Sequence, residues 1–178
     1  MRSAFRSASS SSAAYRDLHA RIGKTGRQYL PSPESLFKQI FRRGGCRAIE
    51  PLVDACSLVA LRTRVSIGAH DLARLSLPVR LARTVGDESL LPIGESAPLP
   101  LGAGEHAYRD AGGQMLGRME IRQAAPTCIG PATRDVLFIV QGHRALGAEV
   151  LRATAAELLG TLQRLVGPYA NRRITSID

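Results

Sequence analysis

Residues 49–72, IEPLVDACSLVALRTRVSIGAHDL, constrain the fold of this chain more than any other stretch. Pro51 opens an apolar pattern with helical spacing, which predicts a helix over Pro51–Thr63. The residues that follow predict a Gly-containing turn that sets His70 and Asp71 side by side. The stretch therefore joins a buried helix to a turn that carries two polar candidates for a site.

The flanking patterns predict a single α+β domain. Ser32-Pro33-Glu34 predicts an earlier helix with Ser32 as its N-cap, and Gly44-Gly45 ends that helix. Strands are predicted over residues 77–81, 105–109, 115–122 and 136–140, with a turn at residues 110–113 and a helix over residues 147–166. The prediction is two N-terminal helices, a mixed, mainly antiparallel β-rich middle and a closing amphipathic helix.

Composition suggests where the domain begins and ends. Residues 1–13 predict a Ser-rich flexible tail, residues 14–167 the folded domain, and residues 168–178 a C-terminal tail. The first sixteen residues, MRSAFRSASSSSAAYR, also overlap in composition with organelle transit peptides. Three interpretations of this segment therefore stay open: a targeting segment, a disordered tail, or residues that follow from an early start codon.

Composition also argues against several classes of protein. The three cysteines, Cys46, Cys56 and Cys128, form no CxxC pair, so neither a disulfide framework nor a zinc ribbon is predicted. No apolar run reaches the roughly 18 residues of a membrane span. We therefore predict a cytoplasmic protein without a metal, another cofactor or a membrane partner.

The positive charge is concentrated at one end of the chain. The net charge is +9, and residues 1–50 hold ten Arg or Lys against three acids. Such a basic region is typical of proteins that bind a phosphate backbone. The predicted RNA-binding residues are Arg27, Lys38, Arg42, Arg43 and Arg47. A GC-rich genome is the alternative explanation, because 22 of the 24 basic residues are Arg.

A series of short motifs resembles a known family. They are AYRDLHARIGKTGRQYLPSPESLFKQIFRR at residues 14–43, EPLVD at 50–54, VALR at 59–62, SIGAHDL at 66–72, PIG at 92–94 and YRD at 108–110. In order and spacing they resemble the B3/B4 module of the phenylalanyl-tRNA synthetase β subunit, and more closely the free-standing B3/B4-domain proteins. In the synthetase this module is an editing domain, which removes wrongly attached amino acids from tRNA. The resemblance implies tRNA or aminoacyl-tRNA as partner and ester hydrolysis as activity.

The synthetase's editing residues are not kept at the matching positions. Its editing His falls at Gly68, its Thr-Asn pair at Cys56 and Ser57, and its editing Glu near Pro126. Two hypotheses follow: an editing-type protein that hydrolyses mischarged aminoacyl-tRNA in trans, and a non-catalytic B3/B4 module that binds RNA or a small molecule. Nothing in the chain resembles the aminoacylation domain, so it is not predicted to be a synthetase on its own.

The candidate catalytic residues are Ser57, His70 and Asp71. Ester hydrolysis needs a positioned water and a base, which His70 would supply, with Asp71 orienting a neighbouring group. The family has a polar side chain at the position that resembles Ser57. The structural alternatives are an exposed His, an Asp that caps a turn, and a Ser hydroxyl that bonds back to a helix carbonyl.

A second set of residues is predicted to bind the substrate. Arg118, Glu120 and Arg122 alternate along a predicted strand, which puts a carboxylate between two guanidiniums on one face. They form either a pocket wall that holds an ammonium or phosphate group, or a solvent-facing row of ion pairs. The resemblance adds Gly68 and Thr127.

Overall fold

The computed structural model describes residues 2–22, 24, 29–45, 48–168, 173 and 175, with the side chains of the first helix described from residue 12 onward. The helices are α1 (Arg2–Arg21), α2 (Ser32–Arg43), α3 (Pro51–Thr63) and α4 (Ala148–Val166). The strands are β1 (Ser66–Asp71), β2 (Arg80–Arg83), β3 (Ser89–Leu90), β4 (Leu99–Pro100), β5 (His106–Arg109), β6 (Met115–Arg118), β7 (Arg122–Gln123) and β8 (Val136–Gln141). The predicted α+β class is confirmed.

Three helices, instead of the predicted two, precede the first strand. Helix α1 begins at Arg2 and covers most of the stretch that the sequence predicts as a flexible tail over residues 1–13. Its Ser- and Ala-rich sequence has no clear apolar period, which is why the pattern did not predict a helix. The domain boundaries at residues 13 and 167 stay predictions.

Helix α3 forms as predicted, and its ends show why. The Glu50 carboxylate accepts hydrogen bonds from the N–H groups of Leu52 at 2.8 Å and Val53 at 3.2 Å, which caps the amino end. The helix ends at Arg64, which adopts the left-handed conformation with φ 64°. Its buried residues Ala55, Cys56 and Val59 pack against Leu158 and Leu162 of α4 and against Ala69 of β1. This cluster is the main core.

Helix α2 differs from the prediction at its start and along its apolar stripe. Pro31, and not Ser32, is the N-cap residue, and the N–H of Ser32 is used elsewhere in the molecule. Gly44 ends the helix in the left-handed conformation with φ 70°, as predicted. Phe37 and Phe41 are exposed, so the predicted apolar stripe is only partly covered.

Strands β1 and β8 form a two-stranded antiparallel sheet, with Ser66 opposite Gln141 and Asp71 opposite Val136. The predicted turn around His70 and Asp71 is therefore wrong: both residues lie on a strand, and a 3-10 helix follows at Leu72–Arg74. Strand β8 was predicted from its apolar run, but all six of its residues are half-buried and none is enclosed on both faces.

The second sheet has four strands in the order β2-β5-β6-β7. The predicted hairpin is confirmed for β5 and β6, and Gly113 adopts φ 89° in the turn that joins them. Strand β2 lies at Arg80–Arg83 instead of the predicted residues 77–81. Strand β6 ends at Arg118, and Met119 adopts φ 46° in a turn that leads to β7. Residues 115–122 are therefore two strands and a turn.

Candidate functional site

A pocket lies between the β1–β8 sheet and the four-stranded sheet. It contains about 540 Å³ of empty space, including its open mouth. Gly68, His70 and Gln141 line it from β1 and β8, while Tyr108 and Gln123 line it from the four-stranded sheet.

His70 is the buried base of this pocket. Its Nδ1 lies 2.8 Å from the Thr127 hydroxyl, and burial lowers the pKa of the imidazole to about 4. The Thr127 hydroxyl is also 3.4 Å from the carbonyl oxygen of Ala124. When Thr127 donates to that carbonyl it accepts from His70 Nδ1–H, which leaves a lone pair on Nε2. Nε2 has no partner within the described part of the chain.

Gly68 provides the space beside this nitrogen. It lies two residues before His70 on β1, so both share one face of the strand. A Cβ atom built at Gly68 would lie 3.6 Å from His70 Nε2. A side chain extending beyond Cβ at this position would compete with a water or substrate for the face of the imidazole.

Asp71 points to the other face of β1 and does not join His70. Its carboxylate accepts hydrogen bonds from the Thr133 hydroxyl at 2.8 Å and from the Ala73 N–H at 3.1 Å. It therefore caps the 3-10 helix, which is the structural alternative stated above. Adjacent residues on a strand face opposite sides, so the structure does not bring the Asp71 carboxylate together with the His70 imidazole.

Ser57 and Cys56 lie on α3, away from the lining of the pocket. Ser57 is half-buried, and it is not among the residues that line the pocket. Cys56 is buried in the main core, and burial raises the pKa of its thiol to about 12. A thiol of this kind stays protonated and is a poor nucleophile.

Glu120 is buried in the turn between β6 and β7, where it pairs with His19 of α1. His19 Nε2 lies 2.5 Å from Glu120 Oε1, and each side chain is 1% exposed. Glu120 Oε2 accepts the Ser32 N–H at 2.8 Å, and His19 Nδ1 lies 2.9 Å from the carbonyl oxygen of Tyr29. The pair therefore joins α1 and the start of α2 to the pocket wall.

The His19–Glu120 contact changes the titration of the imidazole. Burial by itself lowers the pKa of His19, but the hydrogen bond and negative charge of Glu120 outweigh it, so the pKa lies above its ordinary value. Sequence reasoning did not single out His19. The two residues are 101 positions apart, and no local pattern connects them.

The predicted row of Arg118, Glu120 and Arg122 does not exist as one strand face. Arg118 and Arg122 are opposite each other on β6 and β7, and Glu120 lies in the turn between them. Arg118 pairs with Glu105 at 2.8 Å, and Glu105 also pairs with Lys24 at 2.8 Å. Arg122 lines the pocket and is half-exposed, with Glu95 3.5 Å away. Glu120 and Arg122 thus reach the pocket, whereas Arg118 does not line it.

The hydroxyl groups of two tyrosines form hydrogen bonds with residues at the polar end of the pocket. The Tyr15 hydroxyl donates to the carbonyl oxygen of Gln141 at 2.5 Å and accepts from the N–H of Ser66 at 2.9 Å. The Tyr108 hydroxyl lies 2.8 Å from Gln141 Oε1, and burial raises the pKa of Tyr108 to about 12. The phenol stays neutral and donates, which leaves the amide N–H groups of Gln141 available.

Gln123 provides a second amide in the pocket. Its Nε2 donates to the carbonyl oxygen of Ala69 at 2.6 Å, so its Oε1 is an acceptor without a partner in the described ranges. Next to it, a Cβ atom at Gly117 would lie 2.9 Å from the carbonyl oxygen of Arg122, so the close approach of β6 and β7 requires glycine. Sequence reasoning missed Gln123, Gln141 and both tyrosines, because each was read only as part of a strand or motif.

The predicted RNA-binding residues fall into three groups. Arg42 and Arg43 are exposed at the end of α2. Lys38 is exposed but pairs with Glu34 at 3.0 Å, and Arg16 pairs with the same carboxylate. Arg27 and Arg47 lie outside the described residues.

No metal or membrane site was found in the part of the chain that the structure describes. There, no group of three or more His, Cys, Asp and Glu side chains could hold a metal ion. No helix within the same ranges has the length and apolar character needed to cross a membrane. Cys56 and Cys128 are free thiols.

Comparisons with known proteins agree with this architecture. A family model described as the B3/4 domain matches residues 14–155. The fold is similar to that of an N-terminal fragment of the phenylalanyl-tRNA synthetase beta-subunit from Pyrococcus horikoshii, with 17% identity and a TM-score of 0.55. The match covers 65% of this chain and 40% of that fragment, so the chain spans well under half of the solved relative. No curated protein matches the sequence.

Proposed function

The chain belongs to the B3/4 domain family, and on that premise we propose that it binds tRNA and hydrolyses mischarged aminoacyl esters in trans. The family and the similarity to a phenylalanyl-tRNA synthetase fragment support a tRNA-related domain. The proposal that the protein also hydrolyses the ester depends on the geometry of the pocket. We place the protein in the cytoplasm, since three cysteines without a CxxC pair are typical of a reducing compartment.

One observation carries the proposal: a neutral imidazole with a free nitrogen in a pocket. His70 Nδ1 is held by Thr127 and its Nε2 has no partner in the described ranges. Because burial lowers the pKa of His70 to about 4, the base form is present at neutral pH. A general base must be unprotonated and within reach of a water, and this arrangement meets the first condition without a second charged group.

The proposed reaction is attack of water on the aminoacyl ester. His70 Nε2 accepts a proton from a water in the pocket, and the resulting hydroxide attacks the ester carbonyl carbon. The tetrahedral intermediate then collapses, the bond between that carbon and the ribose oxygen breaks, and the proton on Nε2 passes to the departing ribose oxygen. The Gln141 amide and Arg122 are the donors proposed to stabilise the negative oxygen, since both line the pocket.

The remaining candidate residues have supporting roles in this proposal. Gly68 leaves room for the water beside Nε2, and Thr127 sets the tautomer of His70. Gln123 Oε1 is the neutral acceptor for the ammonium group of the amino acid. The role first predicted for Glu120, binding that ammonium directly, stays a prediction, while its two oxygens already have partners in His19 and Ser32. Ser57 and Asp71 keep only structural roles.

A panel of labelled aminoacyl-tRNAs tests the proposal. The purified protein is incubated with each member, and the rate of ester loss is compared with the spontaneous rate. We expect accelerated loss for at least one mischarged species. Spontaneous rates throughout the panel, with tRNA still bound, would favour the alternative, a non-catalytic B3/B4 module that binds RNA or a small molecule. That alternative is supported by the altered editing positions and by the location of Ser57 outside the pocket.

The basic end of α2 supports binding to the tRNA backbone. Replacing Arg42 and Arg43 with Gln should weaken tRNA binding and lower the slope of log affinity against log salt by about 1.5 to 2. Replacing Lys38 with Gln should change the slope less, because Glu34 already neutralises it. The measurement is filter binding or fluorescence anisotropy over a salt series. An unchanged slope in the double variant would remove α2 from the RNA-binding surface.

The same proposal assigns Arg27 and Arg47 to the RNA-binding surface. Phosphate contacts fix position and strength and carry no information about the amino acid. Discrimination among members of the aminoacyl-tRNA panel should therefore survive the changes in α2.

A further inference from the structure

The edge of the four-stranded sheet carries three exposed arginines that the sequence analysis did not single out. Strand β2 is the first in the order β2-β5-β6-β7, so among the described strands it has a neighbour on only one side. Arg80 and Arg83 lie on β2, and Arg109 lies opposite Arg80 on β5. All three are exposed. We call these residues the β2 arginine surface.

No ion pair neutralises this surface among the described residues, although Glu88 lies near one of its members. None of the three guanidinium groups forms an ion pair or a hydrogen bond with a described residue. Residues 72–86 contain Arg74, Arg80 and Arg83 and no Asp or Glu, and Arg74 is already paired with Asp71. Asp87 and Glu88 follow this segment. The Glu88 carboxylate accepts hydrogen bonds from the N–H groups of Gly86 and Val85, and the positive charge of Arg109 helps to lower its pKa. Glu88 therefore compensates part of the charge of Arg109, whereas Arg80 and Arg83 have no such partner among the described residues.

Several N-terminal cations, in contrast, already have partners. Arg16 and Lys38 share Glu34, Arg21 pairs with Asp17, and Lys24 pairs with Glu105. Acids within the domain therefore neutralise part of the positive charge of residues 1–50. Counting charges along the chain located the excess at the N-terminus, whereas the structure places unpaired charge on β2 and β5 as well.

The arrangement of the three arginines is unfavourable unless an anion binds. Arg80 and Arg109 are direct cross-strand partners, and like charges in such positions repel. Alternation puts Arg83 on the opposite face of β2, so cations flank the edge from both sides. Anions between them would remove the repulsion, and a chain of regularly spaced anions would contact both faces of the edge.

The surface is close to the pocket. Leu81, between Arg80 and Arg83, is the register partner of Tyr108, and Tyr108 lines the pocket. Neighbouring strands are about 4.8 Å apart, so β2 is one strand removed from the pocket wall. A polyanion bound along β2 therefore passes within reach of the pocket mouth.

We propose that the β2 arginine surface binds the phosphate backbone of an RNA strand whose end enters the pocket. The identity of that RNA as tRNA rests on the proposed function. With aromatics at 4% and no Trp in the chain, contact through phosphates is favoured over base stacking, so binding here is independent of sequence. This surface is separate from α2 and is expected to add to it.

The test replaces Arg80, Arg83 and Arg109 with Gln and measures binding of uncharged tRNA and of poly(U) over a salt series. The slope of log affinity against log salt should fall by about 2 to 3 for the triple variant, which corresponds to three lost phosphate contacts. The same three positions replaced by Lys should keep most of the slope, because the charge is retained. The matched control is Arg62→Gln, since Arg62 is exposed but pairs with Glu157, and its slope should not change.

The two probes separate this inference from the proposed function. Loss of poly(U) binding in the Gln variant, with the Lys variant unaffected, supports the surface even when no aminoacyl-tRNA is hydrolysed. An unchanged slope with both RNAs in a folded Gln variant overturns it. Equal loss in the Gln and Lys variants overturns it as well, because charge would then not be the cause. Tighter binding of polyglutamate than of poly(U) to the unaltered protein would assign the surface to an acidic protein partner instead.

Discussion

Replacing His70 with Ala is expected to slow hydrolysis of the aminoacyl ester by about 100- to 1000-fold, the usual loss when a general base is removed. The imidazole is 3% exposed, and its free nitrogen is the one base proposed to activate water. Binding of uncharged tRNA should change little, because the arginines proposed to contact RNA lie on α2, β2 and β5. Single-turnover deacylation with saturating protein measures the chemical step apart from binding.

Thr127→Val is the partner variant for this experiment. It keeps the shape of the side chain and removes the hydroxyl that lies 2.8 Å from His70 Nδ1. We expect a smaller loss, about 10- to 100-fold, because the imidazole stays in place while its tautomer is no longer set. Thermal melts of both variants accompany the kinetics. Full activity in a folded His70→Ala protein would exclude His70 as the base.

The pH profile gives an independent check. Because burial lowers the pKa of His70 to about 4, the base form persists far below the ordinary histidine pKa. The deacylation rate, corrected for the spontaneous reaction, should therefore stay level from about pH 8 down to about pH 5. A fall in rate centred near pH 6.5, the ordinary value for histidine, would contradict the burial of the imidazole.

Replacing His19 with Ala is expected to lower the free energy of unfolding by about 3 to 5 kcal/mol, since it leaves the buried Glu120 carboxylate without its charged partner. Both side chains are 1% exposed, so solvent cannot replace the lost hydrogen bond. The matched control is Arg21→Ala on the same helix, which breaks the half-exposed pair with Asp17. That change should cost at most about 1 kcal/mol. Urea denaturation at neutral pH measures both.

A double variant separates the ion pair from simple packing. Replacing His19 and Glu120 together with Leu removes both buried ionisable groups. Because the Ser32 N–H and the Tyr29 carbonyl then lose their partners, we expect it to restore part of the lost stability. If His19→Ala costs no more than Arg21→Ala, the buried pair contributes nothing beyond an exposed one. That result would contradict the inference that the His19–Glu120 pair stabilises the attachment of α1 to the pocket wall.

The two buried histidines should act on stability in opposite directions as pH changes. The pKa of His19 is raised in the folded protein, so its contribution is fully present below the unfolded value of about 6.5 and is lost as pH rises through the folded value. The pKa of His70 is lowered to about 4, so the unfolded chain binds more protons between about pH 6.5 and 4, and stability falls as pH falls through that window. As pH falls from the folded pKa of His19 to about 6.5, the unaltered chain should therefore gain stability while the His19→Ala protein does not. Below about pH 6.5 both proteins should lose stability with a similar slope, because His70 is present in each.

Local patterns predicted the elements whose shape depends on neighbouring residues. Helices α3 and α4 and the hairpin of β5 and β6 were predicted because apolar spacing and turn residues lie within each segment. Strand β1 was missed, since SIGAHD has a glycine and three polar residues where a strand pattern needs apolar alternation. Its polar side chains are buried only because Thr127 and Thr133 supply distant hydrogen-bond partners.

Some residues of the candidate site were named from the sequence, because they lie in local motifs. The structure brings together His70, Gly68 and Thr127, which the sequence analysis named as separate candidates. The Arg118, Glu120 and Arg122 row failed because one residue, Met119, takes a positive φ and turns the chain between them. A single positive φ leaves no periodic signal in the sequence. It nevertheless changes the direction of the chain, and so it changes which residues each following side chain contacts.

The first helix has a consequence for the order in which the domain assembles. Its Tyr15 hydroxyl binds Gln141, 126 residues later, and its His19 binds Glu120, 101 residues later. Contacts between residues so far apart slow folding, because a long loop must close before they form. During synthesis the helix emerges well before either partner exists. Helix α1 is therefore made well before its partners, and we expect it to be among the last parts of this domain to reach its final position.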